Sequence, residues 1–283
     1  MFEVRVPASS ANMGPGFDSL GVALRLYGEF VFQETTAPED TKHLSLKAYR
    51  QTLKQLGVEG ANLQVRVSRT IPVGKGLGSS AACIVAGVMA AYHISGTEIV
   101  ARDVLKMAAS LEGHPDNVAP AFLGGLITSS WENGEISYGK LPLSKHLSFA
   151  LLIPAFSLPT AKARKALPAK VSFKDAAYNL SQLGLTISAL GSGDEKLVTD
   201  AFQDRLHQPY RFLLIEDSLQ LIELAKKRGA LAVALSGAGP SLLLIRRKRD
   251  PLQGLQEDLK KLKNRWKLRL VEADRHGAKL KIL

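Results

Sequence analysis

The fold of this chain is decided by the stretch Ile71-Pro72-Val73-Gly74-Lys75-Gly76-Leu77-Gly78-Ser79-Ser80-Ala81-Ala82. Three glycines lie at alternate positions, and two serines follow directly before an alanine-rich apolar segment. Because glycine lacks a Cβ atom, a polyanion can approach its backbone closely. The serines fit the N-cap of a helix, where unpaired N–H groups and the positive end of the helix dipole favour phosphate. The stretch therefore predicts a loop that holds the phosphates of a nucleotide.

This loop matches neither of two common phosphate-binding patterns. The Gly-Lys-Ser/Thr ending of the Walker loop is absent, and the spacing of Gly74, Gly76 and Gly78 differs from the G-x-G-x-x-G pattern. A glycine-rich turn before a helix is equally compatible with a purely structural role. The hydroxyl groups of Ser79 and Ser80 favour a binding role, because a hydroxyl at a helix cap can also reach a phosphate or a magnesium ion.

The composition is that of a globular protein with one large domain or two smaller ones. The chain has 283 residues, 46% of them apolar, and no uninterrupted apolar run long enough to predict a membrane span. Cys83 is the single cysteine, so no intrachain disulfide can form and a reducing, cytoplasmic compartment is expected. Within an apolar helix, Cys83 itself is expected to be an inert packing residue.

The formal net charge of +11 leaves two interpretations open. Many cations lie near the C-terminus, in residues 246–249 and 260–269, where acidic residues interrupt the run. This pattern is typical of an exposed basic face, and a nucleic-acid-binding surface is the alternative. The aromatic content of 6%, with Trp266 the one aromatic residue in the run, argues against nucleic acid. We therefore expect no nucleic-acid or membrane partner.

The order of predicted elements indicates an α+β fold. Alternating apolar residues predict strands at residues 2–6, 63–67 and 148–153, and residues 79–92 are apolar on nearly every side, as in a buried helix. Strands and helices mix without a regular βαβ rhythm. We expect two halves, residues 1–150 and 151–283.

Two further clusters carry polar groups in short loops. The sequence predicts a loop of small residues over 7–18, in which Asn12 and Asp18 could hold an amino or hydroxyl group, although a simple Asx-capped turn is the alternative. Residues 112–120 place Glu112, His114 and the amide of Asn117 close together in the sequence. Glu112 offers hard oxygen for Mg²⁺ and His114 is a possible general base, whereas a polar turn at a helix end is the alternative.

Two clusters in the second half are similarly ambiguous. If residues 160–164 are helical, Thr160 and Arg164 share a face, and the planar guanidinium suits a carboxylate or a phosphate. An ordinary exposed charge is the alternative for Arg164. Residues 236–241, with Gly237 and Gly239, form either a tight turn between strands or a second loop whose backbone lies against the phosphate loop.

These five clusters, in this order, resemble the GHMP small-molecule kinases, the family of galactose, homoserine, mevalonate and phosphomevalonate kinases. The resemblance extends from Pro7 to Ser241. It implies a two-domain α+β fold, with an N-terminal half like ribosomal protein S5 domain 2 and a ferredoxin-like C-terminal half. ATP and the substrate would meet in the cleft between the halves.

The motif at residues 9–18, the first of the five clusters along the chain, narrows the resemblance to the homoserine-phosphorylating branch of the family. Residues 9–18 and 112–120 are similar to that branch, as are residues 160–168 and 207–211, where Gln208 stands in place of the usual Glu. The resemblance implies ATP-dependent phosphorylation of L-homoserine to O-phospho-L-homoserine, a step toward threonine, by a homodimer. A mevalonate-type member of the family is the alternative, although Asp18 favours a substrate with an ammonium group, which mevalonate lacks.

The resemblance also implies roles for individual residues. The ATP phosphates would be bound by Pro72, Val73, Gly74, Lys75, Gly76, Leu77, Gly78, Ser79, Ser80, Ala81, Ala82, Gly237 and Gly239. Mg²⁺ would be held by Ser80 and Glu112. The amino acid would be bound by Asn12, Asp18, His114, Asn117, Arg164 and Arg211, with the arginines on its carboxylate and Asp18 on its ammonium. The residues expected at the phosphoryl transfer itself are Asn117, Thr160 and Arg164.

Asn117 departs from the mevalonate-type members, which carry an aspartate that can act as a base. An amide cannot usefully accept a proton. Phosphoryl transfer tolerates this, because its loose transition state chiefly needs alignment and charge neutralisation. We therefore expect Asn117 to orient the substrate hydroxyl rather than deprotonate it.

Overall fold

The computed structural model describes residues 1–37, 40 and 42–283, which form two antiparallel sheets with helices packed against them. The strands are β1 (Phe2–Ala11), β2 (Leu20–Glu34), β3 (Leu63–Arg69), β4 (Leu126–Glu132), β5 (Glu135–Leu141), β6 (Leu147–Pro154), β7 (Ala232–Leu235), β8 (Leu242–Arg247), β9 (Trp266–Val271) and β10 (Lys279–Ile282). The helices are α1 (Leu44–Leu56), α2 (Ser79–Ser95), α3 (Ala101–Glu112), α4 (Pro115–Leu123), α5 (Thr160–Lys165), α6 (Phe173–Ser192), α7 (Glu195–Ala201), α8 (Gln208–Phe212), α9 (Ser218–Lys227) and α10 (Leu255–Leu259).

The first sheet has the strand order β10-β1-β2-β4-β5, and β3 also pairs with β2. The predicted buried helix is α2, in which every residue from Ile84 to Tyr92 is buried. Its small side chains allow close packing, since a Cβ added at Gly87 would lie 2.0 Å from the carbonyl oxygen of Ser45 in α1. This helix therefore places its N-terminus, and the glycine-rich loop before it, rigidly on the core.

The second sheet has the strand order β7-β8-β6-β9. Along the chain, β6 is followed by helices, then by the β7–β8 pair, then by α10 and β9. This is the β-α-β-β-α-β arrangement of a ferredoxin-like unit. The α+β prediction is confirmed.

The division into residues 1–150 and 151–283 stays a prediction. Two features of the sheets bear on it. Strand β6 begins the second sheet at Leu147, and β10, at the end of the chain, pairs antiparallel with β1 in the first sheet. The last strand therefore ties the end of the chain back to its beginning.

The start of α2 corrects one expectation. The N-cap is Gly78, in the left-handed conformation with φ 68°, and neither Ser79 nor Ser80 caps the helix with its side chain. The prediction of a serine cap was wrong by one residue, because the chain enters the helix through a left-handed turn that glycine adopts without strain. Both serines lie in the first helical turn instead. Among the described residues, no helix is long and apolar enough to cross a membrane.

Candidate functional site

A cavity of about 340 Å³ opens beside the glycine-rich loop and collects residues from all five sequence clusters. The predicted site residues that line it are Asn12, Asp18, Pro72, Val73, Gly74, Lys75, Gly76, Leu77, Gly78, Ser79, Ser80, Glu112, His114, Asn117, Thr160, Arg164, Arg211 and Gly237. Three predicted residues lie outside its lining. Ala81 and Ala82 are fully buried in α2, and Gly239 packs against Gly76.

The two glycine loops are in direct contact. Gly76 has φ 71°, and a Cβ added there would lie only 2.2 Å from the carbonyl oxygen of Ser236 and 2.7 Å from that of Gly239. The hydroxyl of Ser236 donates to the carbonyl oxygen of Gly76 over 2.7 Å. Residues 236–241 therefore form the turn between the paired strands β7 and β8, and the same turn lies against residues 74–78.

Lys75 anchors the glycine-rich loop to the second sheet. Its Nζ donates to the carbonyl oxygens of Ala155, at 2.8 Å, and Phe156, at 2.7 Å, just after β6. Burial lowers the pKa of the amine. Two of the three N–H donors of the Lys75 amine therefore hold the loop in place.

Ser80 and Glu112 form a hydrogen-bonded pair at one side of the cavity. The Ser80 hydroxyl donates to Glu112 Oε2 over 2.8 Å, and burial raises the pKa of the Glu112 carboxyl. Cys83 lies one helical turn beyond Ser80 and lines the same cavity, although the sequence indicated only a packing role. Burial, together with the charge of Glu112, raises the pKa of its thiol to about 11.

The N-terminus of α4 brings three polar side chains to the cavity. His114 is the N-cap residue, and its Nδ1 lies 3.4 Å from a carboxylate oxygen of Asp116, which raises the pKa of His114. Asp116 is 2% exposed. Asn117 follows in the first turn, and its Oδ1 accepts a hydrogen bond of 2.8 Å from the hydroxyl of Ser9 in β1.

Asp18 and Arg164 come together across 146 residues of sequence. The guanidinium donates to both carboxylate oxygens, over 3.1 and 3.2 Å. Asp18 is held in a left-handed conformation with φ 51°, and its backbone N–H donates to Oδ1 of Asn12 over 2.8 Å. The Asn12 side chain therefore closes the turn between residues 12 and 18, and this turn places the Asp18 carboxylate at the cavity.

Arg211 is the most deeply buried cation of the site, with an exposure of 1%. It donates to the carbonyl oxygens of Ala163 and Gly237, and its guanidinium lies 5.1 Å from the ring centre of Phe17. Burial lowers its pKa. Within residues 1–37, 40 and 42–283, no carboxylate lies within ion-pair distance of this guanidinium. Three carboxylates, those of Asp18, Asp116 and Asp204, act on its charge from beyond ion-pair distance. Because the guanidinium lines the cavity, it can bind an anionic group of a ligand directly.

Thr160 begins α5, so residues 160–164 are helical, and Arg164 follows Thr160 one turn later. The cavity is also lined by residues that were not predicted as site residues from the sequence: Leu44, Cys83, Asp116, Leu158 and Ala238. Asp116 belonged to a motif already singled out, so its titratable side chain was an available signal. No motif marked Leu44 or Leu158, whose contribution depends on how α1 and the segment before α5 pack.

Magnesium fits the donor set, since a carboxylate and a hydroxyl supply hard oxygen ligands. Among the described residues, no group of three or more His, Cys, Asp or Glu could hold a metal ion by itself. A site at Ser80 and Glu112 would therefore be completed by phosphate oxygens and water, as is usual for Mg²⁺.

Comparisons with known proteins give a consistent result. The model of the GHMP kinase N-terminal domain matches residues 43–125, and that of the GHMP kinase C-terminal domain matches residues 186–264. A relative from Clostridium botulinum, named homoserine kinase, is 39% identical over 98% of this chain and 97% of its own length. A homoserine kinase from Caldicellulosiruptor saccharolyticus is 40% identical over 98% and 96%. The crystal structure of homoserine kinase from Cytophaga hutchinsonii superposes with a TM-score of 0.88 at 26% identity, covering 99% of this chain and 97% of that one.

Proposed function

Because this chain belongs to the GHMP kinase family and matches homoserine kinases along nearly its whole length, we propose that it phosphorylates L-homoserine with ATP. The hydroxyl oxygen of homoserine forms a bond to the γ-phosphorus, the bond from that phosphorus to the β–γ bridging oxygen breaks, and ADP leaves. The hydroxyl proton is released. The product, O-phospho-L-homoserine, leads toward threonine.

One observation carries the substrate assignment. Arg211, a buried guanidinium that makes no ion pair within residues 1–37, 40 and 42–283, lines the same cavity as the carboxylate of Asp18. The substrate carboxylate binds Arg211 and Arg164, and its ammonium binds Asp18 and Asn12. Opening the Asp18–Arg164 pair leaves two opposite charges exposed. An amino acid zwitterion supplies a partner for each, whereas a monoanion such as mevalonate leaves Asp18 unpaired.

The glycine-rich loop binds the phosphates of ATP in this proposal. Its three glycines have positive φ angles, its backbone borders the cavity, and the loop is held by Lys75 and by contact with residues 236–239. Ser80 and Glu112 would hold Mg²⁺. When bound there, the ion would neutralise charge on the phosphate oxygens.

Around the transferred group, Asn117 orients the hydroxyl of the substrate, and Thr160 and Arg164 lie on the side of the second sheet. His114 contributes to binding of the amino acid. The arrangement is that of a site which works by alignment and charge neutralisation, as phosphoryl transfer requires.

The alternative of a nucleic-acid-binding protein is less well supported. In the basic C-terminal region, Arg247 pairs with Glu195, and Lys263 pairs with Glu216. Arg246 is buried and donates to backbone carbonyl oxygens. Several cations of this region therefore make ion pairs or hydrogen bonds within the protein. We further propose a cytoplasmic location and a homodimer.

The test is an ADP-release assay with MgATP and a panel of L-homoserine, mevalonate, galactose and L-threonine. Turnover with homoserine should exceed that with each of the others. A folded sample that turns over mevalonate but not homoserine would reassign the substrate within the family. A folded sample with no homoserine turnover contradicts the proposal.

A further inference from the structure

A buried hydroxyl group contacts the amide that lies at the reacting centre. Ser9, in β1, is fully buried, and its Oγ lies 2.8 Å from Oδ1 of Asn117 in α4. The two residues are 108 positions apart in the chain. Ser9 lines neither the cavity nor any surface that a substrate could reach, so its hydroxyl can act on the reaction only through Asn117.

The glycine-rich loop seals this pair from water. A Cβ added at Gly78 would lie 2.0 Å from Ser9 Oγ and 3.1 Å from Asn117 Oδ1. The backbone N–H of Ser9 donates to the carbonyl oxygen of Leu77 over 3.2 Å. The hydroxyl is thus enclosed between the strand, the loop and the amide, with no room for a bridging water on the side of Gly78.

The direction of the hydrogen bond follows from a count of donors and acceptors. A buried hydroxyl hydrogen needs an acceptor, and across residues 1–37, 40 and 42–283 the Ser9 hydroxyl has Asn117 as its single hydrogen-bond partner. The hydrogen is satisfied only if Asn117 presents its oxygen to Ser9. If the NH₂ end faced Ser9 instead, that hydrogen would be buried without a partner, which costs about 1–3 kcal/mol.

We infer that Ser9 is a positioning residue, which holds the Asn117 carboxamide with its oxygen toward β1 and its NH₂ group toward the cavity. Resting on the proposed function, this makes Asn117 a hydrogen-bond donor to the attacking oxygen of the substrate. A donor at that oxygen turns the substrate's own O–H hydrogen away from Asn117. As the oxygen–phosphorus bond forms, the proton therefore leaves to a phosphoryl oxygen or to solvent.

The geometry can be tested without any substrate. Neutron diffraction on deuterated crystals of the full-length protein distinguishes the two ends of an amide, which ordinary X-ray data do not. We expect deuterium on Ser9 Oγ directed at Asn117 Oδ1, and the ND₂ group directed at the cavity. An ND₂ group directed at Ser9 would overturn the inference, whatever the enzyme phosphorylates.

The functional consequence is tested by a double-mutant cycle with steady-state kinetics for homoserine. Ser9→Ala frees the amide to rotate, so kcat should fall by about tenfold while KM for homoserine changes by less than about twofold. In an Asn117→Ala background, adding Ser9→Ala should lower kcat by less than about twofold, because the two residues act as one unit.

Ser148→Ala is the matched control, since Ser148 is a buried serine whose hydroxyl donates to the carbonyl oxygen of Val271 in the second sheet. It should leave kcat within about twofold of the unmodified enzyme. A tenfold loss that persists in the Asn117→Ala background, or an equal loss in Ser148→Ala, would overturn the positioning role. Absence of homoserine turnover in the unmodified enzyme would instead refute the proposed function, while the diffraction experiment still decides the geometry.

Discussion

Replacing Gly76 by alanine tests the contact between the two glycine loops. The added Cβ would lie 2.2 Å from the carbonyl oxygen of Ser236 and 2.7 Å from that of Gly239. Both are backbone atoms, which cannot rotate away as the end of a side chain can. Gly96 offers a matched control, because its φ of 67° is close to the 71° of Gly76 and, in the described part of the chain, nothing lies within 4 Å of a Cβ added there.

The magnitude follows from separating conformational strain from collision. An alanine in the left-handed region costs roughly 1–2 kcal/mol, and the loss of unfolded-state freedom offsets about 0.4–1 kcal/mol of this. Gly96→Ala should therefore destabilise the fold by about 1 kcal/mol. Gly76→Ala carries the same strain and adds about 1–3 kcal/mol for overpacking against fixed backbone. We expect a difference of about 2 kcal/mol between the two variants.

Urea unfolding of both variants under identical conditions measures this difference. Binding of ATP provides a second readout, because the collision also pushes the loops apart: KM for ATP should rise in Gly76→Ala and stay unchanged in Gly96→Ala. Equal loss of stability in the two variants would refute the reasoning. So would a Gly76→Ala enzyme that is destabilised by the expected amount but keeps its KM for ATP, since the loop contact would then be irrelevant to binding.

Three further predictions concern the charged and titratable groups of the cavity. Arg211→Met should raise KM for homoserine by at least about thirtyfold, since it removes a buried partner of the carboxylate, while KM for ATP changes far less; equal changes in both would contradict the assignment. With its pKa raised to about 11, the Cys83 thiol should react with iodoacetamide at pH 8 about 20-fold more slowly than free cysteine, as followed by mass spectrometry; a rate like that of free cysteine would show that the thiol is not buried. Burial raises the pKa of Glu112, so folding favours its protonated form and stability is lost as the pH rises from the unfolded pKa toward the folded one. Glu112→Gln should therefore raise the free energy of unfolding more at pH 7 than at pH 4, while abolishing magnesium-dependent turnover; a variant that is less stable at pH 7 would be the contrary result.

Much of the local structure could be predicted because it depends on nearby residues. The apolar segment after residue 78 is a helix, as its composition indicated, and the strand pattern at residues 148–153 matches β6. The error at the start of α2 has a local cause as well. Serine is the more common N-cap, but the left-handed turn at Gly78 displaced the cap by one residue.

The contacts within the cavity could not be predicted in this way. Ser9 reaches Asn117 across 108 residues, and Arg164 reaches Asp18 across 146. Lys75 lines the cavity with the rest of the glycine-rich loop, and its amine donates to two carbonyl oxygens after β6. The Ser9–Asn117 contact depends on how α4 packs on β1, and the other two bring together segments on either side of β6. No short-range pattern in the sequence encodes such packing.

The sequence by itself predicted a glycine-rich loop for phosphate and several short polar clusters, because each of these motifs lies within about a dozen consecutive residues. The roles expected of Ser80 and Glu112 toward Mg²⁺, and of the arginines and Asp18 toward an amino acid, came from the resemblance of these motifs to the family. Only the tertiary structure decided how those groups are used. It buried Arg211 beside the cavity, paired Arg164 with Asp18, and set the Ser9 hydroxyl against Asn117. Burial and orientation arise when distant segments exclude water together, so they are properties of the packed fold.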